Sequence, residues 1–129
     1  MDILLKGAVG MLGAALVLAW LGTFSRWFVI KGVEGGIIKS YEVLVKGHVD
    51  FILMSLFCFA FYAVRIPLPI EACWLIVIGG FTNPGVFVIV MLKPDAWKFT
   101  WMRIYTGLSF LTTTVGFSWA GWTILRALP

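Results

Sequence analysis

Apolar residues run along this chain in four long stretches, each closed at both ends by charge. Lys6 and Arg26 enclose 19 uncharged residues. Lys46 and Arg65 enclose 18, broken only by His48 and Asp50. Glu71 and Lys93 enclose 21, and Arg103 and Arg126 enclose 22. A helix that crosses a bilayer needs about 20 apolar residues. Porin-like strands would alternate in polarity over segments of about ten residues, and these runs do not alternate. The pattern predicts an all-α, polytopic membrane protein: one domain over residues 1–129, a compact bundle of four transmembrane helices at about 7–25, 40–64, 72–92 and 104–125. The first run is too long for a signal-peptide core. Trp20 and Arg26 stand where a small-residue cleavage site would be, so it reads as a retained span.

Between the first two spans lies the one long connection, interrupted by Glu34, Gly35 and Gly36. Beyond it Ile37, Tyr41, Leu44, Val45 and His48 recur at helical spacing, which predicts that the second helix starts near Ile37, ahead of the membrane. Pro67 and Pro69 mark a short turn before the third span. That span then meets IGGFTNPG, Ile78 to Gly85, which puts breakers and an amide at mid-membrane depth. Such groups survive in hydrocarbon only where protein or a cavity supplies partners. On that pattern the third helix is expected to be broken.

Composition strengthens the membrane reading. Of the 129 residues 61% are hydrophobic and 12% charged, with a mean hydropathy of +1.01. An ordinary soluble domain carries about a quarter charged residues. The basic residues are divided unequally. Arg26, Lys31, Lys39, Lys46, Lys93, Lys98 and Arg103 fall on one side; Lys6, Arg65 and Arg126 fall on the other. The positive-inside rule places the first group in the cytoplasm and both termini on the non-cytoplasmic side of what is expected to be a bacterial inner membrane. The net charge of +4 follows from that asymmetry and from anionic lipid as partner; it is no argument for nucleic acid. Trp97 and Trp101 on one side, and Trp74, Trp119 and Trp122 on the other, suit interfacial belts. Cys58 and Cys73 show no CxxC and no zinc spacing, and read as reduced, buried small hydrophobes. There is no phosphate-binding glycine loop and no nucleophile elbow. The two halves show no repeat, which argues against a small transporter built by duplication.

Candidate chemistry rests on three polar residues in apolar surroundings: His48, Asp50 and Asn83. An ionisable group inside a membrane helix is a functional candidate. The plainer alternatives are an interfacial histidine bonded to carbonyls and an aspartate paired with Lys46 or Arg103. About 200° of helix separates His48 from Asp50, so the two point to different neighbours. One histidine makes no zinc site unaided. It can make the proximal bond to a haem iron, because the porphyrin supplies the other four nitrogens. Lys39 and Lys46 would then be placed to meet the propionates.

Two motifs carry a resemblance. GHVDFILMSLFCFAF, Gly47 to Phe61, resembles the second-helix motif of the membrane-bound styrene oxide isomerases: a small residue, a histidine, then an apolar helix. GGFTNPGVFVIV, Gly79 to Val90, resembles that family's polar-centred third helix. Chain length, four spans and a single second-helix histidine agree as well. The resemblance implies a homotrimer of four-helix protomers with haem b between them, His48 as the iron ligand, and Lys46, Lys39 and Phe87 around the cofactor. It implies isomerisation of a small apolar epoxide to a carbonyl compound, with ferric haem as Lewis acid and no net redox change. Asn83, Asp50 and Tyr105 become the candidate catalytic groups, and Phe81, Phe87 or Tyr105 the aromatic walls. Two positions depart from the family pattern. Met54 or Ser55 stands where the family has an asparagine, and Phe87 where it has a tyrosine. Both changes remove groups that would orient an epoxide while leaving the haem ligand in place. The reading of a different class is a non-catalytic accessory subunit of a larger membrane redox or oxygenase complex.

Overall fold

The computed structural model describes residues 1–27 and 40–129, with side chains described for 1–24 and 40–129. Four long helices and one short 3-10 turn make up the described chain: α1 Asp2–Trp27, α2 Tyr41–Ala63, α3 Ile70–Leu92, the turn Pro94–Lys98, and α4 Thr100–Ala127. The fold is all-α. Three of these helices, α1, α2 and α3, are long and apolar enough to cross a membrane. The expected start of the second helix near Ile37 lies outside the described residues, as does Lys39. Within the described chain, Ser40 caps α2, its hydroxyl accepting from the Val43 N–H at 3.4 Å.

α3 sits at the centre, packed on α1, α2 and α4. α4 lies along α3 and reaches α2 through Phe117, whose ring meets Phe57 and Phe61 at 5.5 Å each. Only 28% to 39% of the positions in the three apolar helices are buried, yet the outward positions are Val, Leu, Ile, Phe and Trp rather than charge. Such a surface fits lipid, not water. The six tryptophans with described side chains, Trp20, Trp74, Trp97, Trp101, Trp119 and Trp122, are all exposed. Cys58 and Cys73 are free and buried, as the sequence suggested.

Small residues set the helix spacing. A Cβ on Gly7 would fall 2.7 Å from Val77, and one on Gly10 would fall 2.9 Å from the Phe81 ring, so α1 and α3 meet across both glycines. Gly13 faces open space and serves no such contact.

α3 is not broken. It runs unbroken through Pro84, which is fully buried. Proline removes one N–H and strains the turn before it, but packing on three sides holds the helix. Side chains also bond carbonyls of the neighbouring turns. Thr82 donates to Ile78 O at 2.9 Å, and Tyr105 of α4 donates to Thr82 O at 2.7 Å.

Two polar ties bind α1 to α2. The His48 Nδ1–H donates to Ala15 O at 2.7 Å, and Ser55 Oγ donates to Ala8 O at 2.8 Å. Donors and acceptors are both seven residues apart, two turns on each of two antiparallel helices. Ser55 is 1% exposed, so its hydroxyl has no solvent alternative. Ser55→Ala is expected to destabilise the fold by about 0.6 kcal/mol, the usual worth of a hydrogen bond between membrane helices. Thermal unfolding in detergent measures this, and an unchanged midpoint would show the tie to be idle.

Candidate functional site

The structure divides the candidate residues among three places. His48 lines a groove between α1 and α2 of about 290 Å³, with Ala19, Gly22, Tyr41 and Leu44. A carbonyl can only accept, so the bond to Ala15 O fixes a proton on Nδ1, and in the neutral ring Nε2 is then the acceptor nitrogen. Nε2 has no hydrogen-bond partner among the described residues. Histidines that bind metals are commonly held this way, with the second ring nitrogen donating to a carbonyl. Gly47, just before it, is buried because a Cβ there would meet Phe87 at 3.2 Å and Leu18 at 3.6 Å. The small residue of the GHVD motif thus has a packing role between three helices.

Asp50 and Asn83 come together elsewhere. Both line a cavity of about 290 Å³ between α2, α3, the 3-10 turn and α4, walled by Phe87, Trp97 and Phe110 and touched by Thr106. Asp50 lies nine residues from the start of α2, and Asn83 nine from the end of α3. On antiparallel helices that is one depth, about 14 Å in from both ends. Neither side chain makes a hydrogen bond or ion pair among the described residues. No buried polar side-chain atom there is left unsatisfied, so both groups reach the open space of the cavity. A second, outer groove of about 310 Å³ lies against Val45, Lys46, Val49, Asp50, Leu53 and Phe87.

The plainer alternative for Asp50, a pairing with Lys46, does not form. Lys46 Nζ sits 2.8 Å from Glu42 Oε1, one turn earlier. An acid four residues before a lysine is the favoured orientation on a helix, and Glu42 holds it. No ion pair joins Arg103 to Asp50 either.

Tyr105 faces a third cavity, of about 210 Å³, with Ile78, Thr82, Leu108, Ser109 and Thr112. Its hydroxyl is committed to Thr82 O. Thr82 Oγ1 and Ser109 Oγ meet at 2.8 Å in the same place. Phe81 packs edge-on against Phe51 at 6.3 Å, outside the Asp50 cavity, whereas Phe87 forms part of its wall. Of the two family-asparagine positions, Met54 is buried at 9% exposure in the core and Ser55 is spent on Ala8 O. The sequence carried two unread signals here. The seven-residue spacing of His48 and Ser55 matches that of Ala8 and Ala15, and Trp97 closes the Asp50 cavity from a loop.

The donor set tests what this chain can hold. No group of three or more His, Cys, Asp or Glu among the described residues is placed to bind a metal ion. A lone imidazole with a free Nε2 fits a haem, which needs one protein nitrogen, and does not fit a non-haem centre. No family model, no curated protein and no solved structure matches the chain.

Proposed function

We propose that this chain is a membrane haem-b protein that isomerises a small apolar epoxide to a carbonyl compound, with His48 as the iron ligand. The observation that carries the reading is the His48 ring, tied through Nδ1 to Ala15 O, with Nε2 unbonded among the described residues. The resemblance of Gly47–Phe61 and Gly79–Val90 to the styrene oxide isomerases supports it. When bound, ferric haem would supply a Lewis acid for the epoxide oxygen. The chain's own part is to hold the imidazole in one tautomer, to offer Lys46 at the interface, and to exclude water behind an apolar wall.

A homotrimer is part of the proposal. The resemblance implies a haem held between protomers, and His48 opens onto a groove at the outer side of α1 and α2, where a second copy would meet it. A fourth span is part of it as well. α4 has 28 residues and carries no charge between Arg103 and Arg126. Five of its six threonines, all but Thr100, donate to the carbonyl four residues back, at 2.8 to 2.9 Å, which hides their hydroxyls from lipid. With four spans both termini lie on the non-cytoplasmic side of a bacterial inner membrane.

Purified protein given an aryl epoxide is expected to form the corresponding aldehyde without added oxidant or reductant. Product is followed by gas chromatography. A haem-loaded preparation that leaves the epoxide untouched overturns the isomerase reading.

A further inference from the structure

The Asp50 cavity combines features that the haem reading does not use. Three acids are described on this side of the bundle: Glu42, Asp50 and Asp95. Glu42 is paired with Lys46 at 2.8 Å and Asp95 with Lys98 at 3.2 Å. A further cation of the rim, Lys93, lies over the Phe99 ring, 4.4 Å from its centroid. Asp50 alone among these acids has no ion-pair partner among the described residues, and it stands about 14 Å along α2 in apolar surroundings. A carboxylate so placed is costly, and such groups mark binding sites.

Around it stand Phe87, Trp97 and Phe110, with the Asn83 amide and Thr106 as the neighbouring polar groups. The Thr106 hydroxyl is already given to Met102 O at 2.8 Å, which leaves the amide free. Aromatic faces carry negative potential and attract cations, above all alkylated ammonium groups that are weakly hydrated. An unpaired carboxylate beside three aromatic rings therefore complements a positive charge on an apolar body. A metal ion is poorly served, since one carboxylate and one amide offer too few oxygens for a hard cation. An anion would face the carboxylate directly.

We propose that this cavity binds an organic ammonium ion bearing an apolar or aromatic group, with Asp50 as its counter-ion, Trp97, Phe87 and Phe110 as its cage, and Asn83 as a hydrogen-bond partner. No part of this rests on His48, and the site lies on the other side of α2 from the His48 groove.

Calorimetric titration of benzyltrimethylammonium into the purified full chain, in uncharged detergent, tests it. Saturable one-to-one binding is expected for the wild type. Asp50→Asn is expected to weaken it by about tenfold or more, and Trp97→Leu, which keeps the carboxylate, by about threefold. His48→Ala is expected to bind as the wild type does, which separates this site from the haem proposal. Absence of saturable binding in the wild type overturns the inference, as does an Asp50→Asn affinity within twofold of wild type. If Asp50→Asn does not fold, Trp97→Leu decides: unchanged affinity there overturns the aromatic cage.

Discussion

Replacing His48 with alanine is expected to remove the haem absorbance of the purified protein completely. The chain has one histidine, so no other imidazole can take its place. The substitution also removes the bond to Ala15 O, but Ala15 lies within α1 and its carbonyl keeps a place in the helix ladder. The stability lost should be near 0.6 kcal/mol, too little to unfold the bundle, so a lost spectrum would report a lost ligand. His48→Asn sharpens the test. Its amide can still donate to Ala15 O, yet it offers iron no imidazole nitrogen. Absorption spectra of the three proteins, expressed with ample haem, are compared in the Soret region. Both variants should be colourless while eluting as folded protein. A Soret band that persists in either variant rules out His48 as the ligand, and a colourless wild type rules out the cofactor.

The same residue shows how far the sequence could be read. The helices were legible because charge is excluded from hydrocarbon, so each apolar run declared itself. The helices outrun those runs, α1 starting at Asp2 and α4 at Thr100, because a helix continues past the membrane wherever the backbone allows. The roughly 200° between His48 and Asp50 correctly implied different neighbours, but which neighbours is a tertiary fact: α1 for one, α3 and α4 for the other. Spacing alone allowed Lys46 to pair with Glu42 or Asp50, and the acid on the N-terminal side took it. Local rules predicted a break at Pro84. The helix survives because Gly79, Gly80 and Pro84 are buried against neighbours, and no single-segment rule contains those contacts. Which aromatic ring walls the Asp50 cavity was equally hidden: Phe81 and Phe87 are six residues apart, and only Phe87 faces it.

Gly116→Ala is expected to destabilise the bundle by about 1–3 kcal/mol, the usual cost of overpacking. A Cβ there would stand 2.9 Å from Ile76 N and 3.1 Å from Leu75 C, both backbone atoms of α3. A flexible side chain could swing away; a helix backbone cannot. The contact is reciprocal, for a Cβ on Gly79 of α3 would stand 2.9 Å from Thr113 Cα of α4. The two helices therefore meet backbone to backbone, and one added methyl must push them apart. Gly107→Ala is the control. Its Cβ would meet nothing within 4 Å, so alanine should stabilise α4 by up to about 1 kcal/mol through helix propensity. Unfolding in detergent, followed by circular dichroism, should move the two variants in opposite directions; equal shifts would sink the argument. The Gly79→Ala, Gly116→Ala double variant should lose less than the sum of the singles, because the first methyl already separates the helices. That separation reaches the Asp50 cavity, since Asn83 belongs to α3 and Thr106 and Phe110 to α4. The Gly116 variant should thus bind benzyltrimethylammonium more weakly although it alters no residue that lines the cavity. Wild-type affinity in a protein with a lowered unfolding midpoint would mean that the crossing and the cavity are mechanically independent.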